Sequence, residues 1–207
     1  MFVSTSASHA AVLLNGDFEN GLTNWNTFGE VSAETSPATL INGTQALKMF
    51  GNFTDQQSEF SVASQYVAVD GTDFSVGDQI VLSGLMGHLS GDAIIGENTA
   101  YLEIAFAFND FDINAVDFDN AVTSVFFDSS FATDTFFAVN TTSVSIPDLV
   151  FGEEIKFIRV AAAFRQPNNL ETGAAWFDDL SLNVVPAPSS LAILLLAFIS
   201  VSLLKRR

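Results

Sequence analysis

Residues 158–165 read IRVAAAFR, and apolar side chains occupy every second position of this run. Successive side chains of a β-strand point to opposite faces of a sheet, so the run predicts a half-buried strand with Arg159 and Arg165 on the side away from the core. Residues 101–108, YLEIAFAF, alternate in the same way. Both runs favour a sheet that packs one face into a hydrophobic core.

The remainder of residues 13–185 continues this pattern of short apolar runs separated by turn residues. No long run has the 3.6-residue period of a helix. Further strands are predicted at Gln45–Phe50, Phe60–Val69, Gln79–Leu89 and Thr135–Ser145. In the last strand, the predicted core face consists of Trp176, Leu180, Leu182 and Val184. We expect an all-β fold, an antiparallel β-sandwich or barrel.

The composition excludes several classes of function. The 207 residues carry 24 acidic and 7 basic side chains, a formal net charge of −17, and three of the bases are Lys205, Arg206 and Arg207. A chain without a basic patch is unsuited to nucleic acid or to an anionic lipid surface. The absence of cysteine excludes disulfide scaffolds and zinc–thiolate sites. With 48% hydrophobic residues, the chain can form the core of one domain.

The carboxyl-terminal segment predicts a single hydrophobic helix that enters a membrane. It begins with Pro186-Ala187-Pro188, carries no charge from Leu191 to Leu204, and ends in Lys205-Arg206-Arg207. At about 1.5 Å per residue the uncharged run would form a helix of roughly 21 Å, and the terminal cations can snorkel to the membrane surface. Because basic residues stay on the cytoplasmic side, the acidic domain would lie outside the membrane.

This segment resembles the PEP-CTERM sorting signal of Gram-negative bacteria. In that family a Pro-x-Pro motif precedes a short hydrophobic helix and a terminal basic cluster, and Ala187 stands where the family has Glu. The resemblance implies export, processing by an exosortase-type membrane protease and an association with exopolysaccharide. We therefore expect the protein at the cell surface or outer envelope, or in the extracellular matrix, with its carboxyl terminus anchored in the membrane transiently or permanently.

Residues 1–10 are interpreted as the remnant of a signal peptide. Ser8 and Ala10 are the small residues that a signal peptidase requires for cleavage before Ala11. A short disordered start is the alternative. The predicted organisation is thus a remnant at 1–10, a β-sandwich domain at 11–185 and a sorting or transmembrane tail at 186–207.

Several segments of the domain resemble the galactose-binding-like jelly rolls, in particular the carbohydrate-binding modules of families 4 and 9. The opening match is NGDFENG at 15–21, then Trp25, then GTQALK at 43–48. The closing match is AWFDDLSL at 175–182, while QYV at 65–67 and DQIVLSG at 78–84 fit the central strands. The resemblance implies a jelly-roll sandwich that binds carbohydrate, with a structural Ca²⁺ that joins the first and last strands.

Acidic residues near both ends of the domain are candidate ligands of that calcium ion. Asp17 and Glu19 flank Phe18, so on a strand both carboxylates would point away from the face that Phe18 buries. Asp178 falls on the predicted apolar face of the last strand, where a carboxylate must be paired or metal-bound. By the resemblance, the ligands are Asp17 or Glu19, the Lys48 carbonyl and Asp178, with Asp179 as a substitute. Alternatively, Asp17 caps a turn, and Asp178 and Asp179 face solvent at a bulge.

Aromatic side chains are the candidates for a sugar site, because sugars stack on flat rings while polar groups bind their hydroxyls. Tyr66 and Tyr101 are the predicted ligand-binding residues, with Gln65 and Arg165 as hydrogen-bonding partners. Both tryptophans are interpreted as core residues. The Asp- and Phe-rich run at 109–120 lacks the glycine and glutamate of an EF-hand loop and is interpreted as a solvated acidic loop.

The sequence offers little support for catalysis. Cysteine is absent, and no Gly-x-Ser-x-Gly motif accompanies a potential Ser-His-Asp triad. His88 has the strand parity of Ile80 and Leu82, which is typical of a hydrogen-bonded, half-buried histidine. We therefore predict that the protein is not an enzyme.

The leading hypothesis is a non-catalytic, exported protein that binds an extracellular glycan through its jelly roll. One alternative is a structural or adhesive matrix protein without a sugar site. A less favoured alternative is a polysaccharide hydrolase.

Overall fold

A computed structural model gives the fold of residues 10–11, 13–35, 43–51, 59–108, 121–167 and 171–185. The predicted sorting motif, Pro186 to Pro188 with Lys205 to Arg207, lies outside these described residues. The acidic loop at 109–120 and residues 1–9 of the predicted signal remnant also lie outside them. The predictions made for those segments stay predictions.

The described residues form short strands and one 3₁₀ turn, Ser90–Asp92. The strands are β1 (Ala10–Ala11), β2 (Asn26–Phe28), β3 (Glu30–Thr35), β4 (Gln45–Phe50), β5 (Glu59–Ala68), β6 (Gln79–His88), β7 (Thr99–Ala107), β8 (Ala121–Asp128), β9 (Thr135–Asn140), β10 (Val144–Ser145), β11 (Leu149–Val150), β12 (Glu153–Glu154), β13 (Phe157–Gln166) and β14 (Ala174–Val185).

Two sheets contain most of these strands, and every pairing is antiparallel. The five-stranded sheet has the order β2-β5-β13-β7-β8. The seven-stranded sheet has the order β10-β6-β14-β4-β3, with β9 also paired to β6 and β1 to β14. Strands β11 and β12 form a separate hairpin. The predicted antiparallel β-sandwich is confirmed for the part of the chain that the structure describes.

The core lies between the two sheets and is built from the apolar alternation that the sequence displays. Ile158, Val160 and Phe164 of β13 and Leu82 of β6 all belong to it and are fully buried. Burial of one such side chain stabilises a fold by about 1.5–3 kcal/mol. Strand β4 occupies the residues predicted for it. The predicted strand Thr135–Ser145 is divided into β9 and β10, because both strands pair with different parts of β6.

The predicted face of the last strand is wrong in one respect. A register shift between Asp178 and Ser181 interrupts the alternation of β14. Leu180 and Leu182 belong to the core between the sheets, whereas Trp176 is buried outside that core cluster. A bulge adds a residue to one strand and so reverses which residues face inward beyond it. Period-2 reasoning across the bulge therefore placed Trp176 on the wrong face.

The predicted carboxyl-terminal helix lies outside the described residues. Within the part of the chain that the structure describes, no helix has the length and apolar character needed to cross a membrane.

Candidate functional site

The five-stranded sheet turns one face to the core, and the other is here called the outer face. The strand registers place one side chain from each of its five strands side by side in a single cross-strand row. That row is Phe28, Val62, Ala163, Tyr101 and Phe126.

Burial changes systematically along this row. The outermost side chains, Phe28 and Phe126, are 52% and 60% exposed. The inner three, Val62, Ala163 and Tyr101, are buried. The ring of Tyr101 lies 5.6 Å from that of Phe126, centroid to centroid, at a tilt of 47°. The row thus has a buried apolar middle and an exposed aromatic ring at each end, and these two rings offer flat apolar surface to a ligand.

A buried ion pair lies in the neighbouring rows of the outer face. Nη2 of Arg159 donates a 2.5 Å hydrogen bond to Oε1 of Glu103, and both side chains are almost fully buried. Burial raises the pKa of Glu103 to about 7, and the charge of Arg159 opposes that rise. Nη1 of Arg159 is also buried, and it has no hydrogen-bond partner. The pair puts a titratable carboxyl group and an unsatisfied donor beside the aromatic row.

Of the predicted sugar-contacting residues, all but Gln65 lie on the outer face. Tyr66 pairs with Arg159 across β5 and β13 and so shares the outer face with Tyr101. Arg165 is exposed on the same face, with its guanidinium carbon 6.0 Å from the centroid of the Phe60 ring. Gln65 lies on the other side of β5, and its side-chain amide is bonded to both backbone polar groups of Leu14. Gln65 therefore fastens the amino-terminal segment instead of facing a ligand.

Four outer-face residues were missed by the sequence reasoning. Glu103 and Arg159 were recognised only as strand residues, and Phe28 and Phe126 were not singled out. The alternation of β7 and β13 was the available signal for the ion pair, because it puts Glu103 and Arg159 on the side opposite the core.

A second candidate site lies at the edge of β14 between the segment that pairs with β4 and the segment that pairs with β1. Pairing of β14 with β4 stops at Phe177, opposite Leu47, and pairing with β1 involves only Leu182 and Asn183. Between these segments, the backbone N–H of Leu180 donates a 2.8 Å hydrogen bond to the carbonyl of Gly16. The amino-terminal loop thus fills a gap at the edge of β14, at the bulge.

Asp178 is the most unusual residue at this bulge. Its carboxyl group is fully buried, with Oδ1 accepting a 2.8 Å hydrogen bond from the backbone N–H of Asp179 and Oδ2 without any partner. Burial, opposed by the hydrogen bond from Asp179 N–H and aided by the negative charges of Asp179, Glu19 and Asp17, raises the pKa of Asp178 to about 7. Three carboxylates from the two ends of the domain are therefore close enough to Asp178 to disfavour its ionisation.

Glu19 is held by hydrogen bonds from the start of β4. Its carboxylate accepts from the backbone N–H groups of Thr44 and Gln45, at 2.6 and 2.9 Å, and from the Thr44 hydroxyl at 2.9 Å. The backbone donors of Gln45 and Thr44 lower the pKa of Glu19. The predicted strand around Phe18 is instead a turn, since Phe18 has φ of 54°. Phe18 is nevertheless buried and Asp17 exposed, as expected.

The remaining predicted ligand, the Lys48 carbonyl, belongs to the paired part of β4. Lys48 is the register partner of Trp176, one position from the end of the β14 pairing. Its ammonium group lies 3.3 Å from the carboxylate of Asp92 and 5.3 Å from the Trp176 ring centroid. Among the described residues, no three His, Asp or Glu side chains converge tightly enough to hold a metal ion by themselves. A cation here would also need backbone carbonyl or water ligands.

His88 and Trp25 have structural roles. Nδ1 of His88 accepts a 3.1 Å hydrogen bond from the backbone N–H of Ile94, and Nε2 lies 3.0 Å from the carbonyl of Phe131. Both ring nitrogens are thus satisfied in the interior, which confirms the interpretation of His88 as a hydrogen-bonded histidine. Trp25 packs in the core at 5.2 Å from the Phe18 ring, as predicted.

No protein-family model matches the chain, and no curated protein sequence matches it. Solved structures nevertheless share its fold. The Stig cyclase Fisc from Fischerella sp. TAU has a TM-score of 0.59 at 10% identity and covers 87% of this chain and 100% of its own. An apo-form cyclase from Fischerella sp. has a TM-score of 0.57 at 10% identity, over 89% and 100% of the two chains.

A similar fold also occurs in a xylanase chain that contains a carbohydrate-binding module. The CBM22-1–GH10 modules of Clostridium thermocellum xylanase 10B, complexed with xylohexaose, have a TM-score of 0.50 at 13% identity. That match covers 82% of this chain and 28% of the xylanase chain. At such identities the similarity establishes the fold alone, an antiparallel β-sandwich used by cyclases and by sugar-binding modules.

The prediction that this protein is not an enzyme is contradicted by these comparisons. It was based on missing nucleophile motifs and on a resemblance to binding modules. The cyclases of matching fold are enzymes, so the fold does not exclude catalysis.

Proposed function

We propose that the domain binds a glycan on the outer face of its five-stranded sheet. The observation that carries this proposal is the row from Phe28 to Phe126, with exposed rings at both ends and buried Tyr101 beside one of them. Aromatic rings supply the apolar contact area that sugar faces require, and the polar groups of the adjacent rows can bind hydroxyls. Tyr66 and Tyr101 remain the ligand-contacting residues of this proposal.

The same fold in a xylanase module crystallised with xylohexaose supports this choice of ligand class. In this proposal the domain is a galactose-binding-like jelly roll, similar to the carbohydrate-binding modules of families 4 and 9. It acts outside the cell and contacts exopolysaccharide at the surface or in the matrix.

Export in this proposal depends on the segment at 186–207. The Pro186-Ala187-Pro188 motif, the hydrophobic run and Lys205-Arg206-Arg207 form a PEP-CTERM-type signal for an exosortase-type protease. The mass of the mature protein purified from its host tests this directly. A mass that lacks both residues 1–10 and part of the tail supports the proposal, whereas the full mass in the cytosolic fraction contradicts it.

Structural calcium is the third component of the proposal. Asp178 and Glu19 are the first candidates to hold the ion, with Asp17, Asp179 and the Lys48 carbonyl as further candidates. The buried Oδ2 of Asp178 without a partner, and the negative charges of Asp179, Glu19 and Asp17 acting on Asp178, support a cation there. The ion would join the amino-terminal loop to β14.

Isothermal titration of the purified protein with soluble oligosaccharides tests the glycan site. Phe126→Ala should weaken binding by about tenfold, as expected when an aromatic contact residue is truncated. Phe151→Ala is the matched control, because Phe151 is 95% exposed on the β11–β12 hairpin, which is not part of the five-stranded sheet. Equal affinity of both variants and wild type, or no binding of any oligosaccharide, contradicts the proposal.

A second candidate function, acid–base catalysis on the same face, is favoured by Glu103. A carboxyl group whose pKa is raised to about 7 by burial can give up and take back a proton near neutral pH. Incubation with oligosaccharides, followed by mass spectrometry of the products, tests for turnover. Turnover in wild type that Glu103→Gln abolishes, while the variant still binds, supports catalysis. Unchanged oligosaccharides in all samples contradict it for this substrate class.

A further inference from the structure

The few basic residues of the domain are unevenly placed. Of the 7 basic residues in the chain, three form its extreme carboxyl end, and the others are Lys48, Lys156, Arg159 and Arg165. Arg159 and Arg165 both lie on the outer face, since they alternate with the core residues of β13. Half of the basic residues that precede the terminal cluster are therefore on the one face that has the aromatic row.

The two arginines differ in burial, but the positive charge of each influences Tyr101. Arg159 is buried and has an unsatisfied Nη1, whereas Arg165 is exposed above the ring of Phe60. Burial and the charge of Glu103 raise the pKa of Tyr101, and the positive charges of Arg165 and Arg159 both oppose that rise. Both guanidinium groups are thus within electrostatic reach of the Tyr101 ring, the centre of the proposed ligand site.

The outer face carries few acidic side chains among the described residues, and these already accept hydrogen bonds from other residues of the domain. Among the described residues of the four successive outer-face rows that contain Arg159, Glu103, Tyr101 and Arg165, the acidic side chains are Glu103 and Asp128. Glu103 accepts the hydrogen bond of Arg159. Asp128 accepts hydrogen bonds from the backbone N–H and the hydroxyl of Ser130, in its own turn. Arg165 has no such carboxylate opposite it, because its register partners are Phe60 and Thr99.

We propose that the outer face selects an acidic oligosaccharide, in which Arg165 binds a uronate carboxylate next to the row of Tyr101. This inference depends on the proposed glycan site and specifies its ligand class. A guanidinium group matches a carboxylate geometrically and binds it with two charge-assisted hydrogen bonds. A neutral sugar would use the aromatic row but leave the charge of Arg165 without a partner.

The net charge of −17 does not prevent this selection. Charges on other surfaces are screened within about 8 Å at physiological ionic strength. Arg165 is exposed on the outer face itself, so at contact distance its influence on a bound group is stronger than that of distant carboxylates. The overall charge mainly slows the approach of an anionic polymer, which is an effect on the association rate.

A matched pair of ligands separates charge selection from sugar binding. The full chain is titrated calorimetrically with a β-1,4-linked tetramer of glucuronic acid and with cellotetraose, which has the same backbone without carboxylates. Wild type should bind the acidic tetramer at least about tenfold more tightly. Arg165→Gln should remove that preference by lowering the affinity for the acidic tetramer to about that for cellotetraose. Lys156→Gln is the control, because it removes a charge from an exposed residue in the loop after β12. This variant should keep the preference for the acidic tetramer.

Each outcome decides between the two proposals. Binding of both tetramers with equal affinity overturns the acidic selection but retains the glycan site. A preference that survives in Arg165→Gln also overturns it, because the charge would then act from elsewhere. Binding of neither tetramer, or binding unaffected by Phe126→Ala, defeats the glycan site and this inference together. Arg165 is exposed, so its substitution should leave the melting temperature unchanged, and this control shows that a loss of binding is not a loss of folding.

Discussion

At Asp178, burial and neighbouring carboxylates both favour the protonated acid. The pKa of this group rises from 3.8 to about 7 on folding, so the folded state retains the proton between roughly pH 4 and pH 7 while the unfolded chain releases it. Without bound metal, the contribution of Asp178 to stability is full below pH 4 and is lost as the pH rises towards 7. Asp178→Asn, which resembles the protonated acid, should therefore stabilise the chelated protein by about 2–4 kcal/mol at pH 7.5 and little at pH 4.

Calcium should reverse this effect in wild type, because a cation compensates the ionised carboxylate. Added Ca²⁺ should raise the melting temperature more at pH 7.5 than at pH 5, and chelation should lower it again. In Asp178→Asn the calcium response should be strongly reduced. Thermal melts of both proteins with and without chelator measure these shifts. Identical melts with calcium and chelator at pH 7.5 mean that no structural ion binds here.

The Glu103–Arg159 pair provides a second test at the residue scale. Arg159→Met leaves Glu103 buried without its partner, which costs about 3–5 kcal/mol when the carboxylate is charged. The loss should be larger at pH 8 than at pH 5, where the raised pKa of Glu103 keeps the group neutral. Adding Glu103→Gln should recover most of the stability at pH 8. Denaturant unfolding measures all three proteins, and equal losses at both pH values would contradict a role for the charge.

At the scale of elements, the contact between the amino-terminal loop and β14 depends on Gly16. A Cβ at this position would lie 2.1 Å from the backbone oxygen of Leu180, so the loop or the bulge must move. Gly16→Ala should destabilise the domain by about 1–3 kcal/mol. Gly91→Ala is the matched control, because a Cβ there meets nothing within 4 Å. Equal stability of both variants in denaturant unfolding would mean that the loop adapts without cost.

The same contact marks the limit of what the sequence can predict. Strand β4 begins and ends where predicted, because local residues such as the turn glycine Gly43 mark its limits. The bulge at Asp178 depends on the tertiary approach of Gly16, which no local pattern records. Tyr66 and Tyr101 could be chosen as candidate aromatics from the sequence, but the row that joins Tyr101 to Phe28 and Phe126 requires the strand order. The ion pair likewise needs β7 beside β13.

For the whole molecule, the core should be complete without the hydrophobic tail. The described core cluster extends from Leu13 to Val184 and draws on both sheets, and the last described strand ends at Val185. Deleting residues 191–207 removes an apolar segment predicted to enter a membrane but no member of this core. The shortened protein should melt within about 2 °C of the full chain in detergent, since it loses none of the buried contacts that determine the transition.

Deletion of residues 191–207 should change how the protein partitions between water and detergent, but not its stability. The deleted form should be recovered in the soluble fraction, and the full chain should partition into detergent, because the tail is the most apolar continuous segment of a chain with net charge −17. Calorimetry and detergent phase separation of the two forms measure both properties. A much lower melting temperature or aggregation after deletion would place the tail inside the fold and contradict a membrane role. Equal partitioning of both forms would contradict it independently of stability.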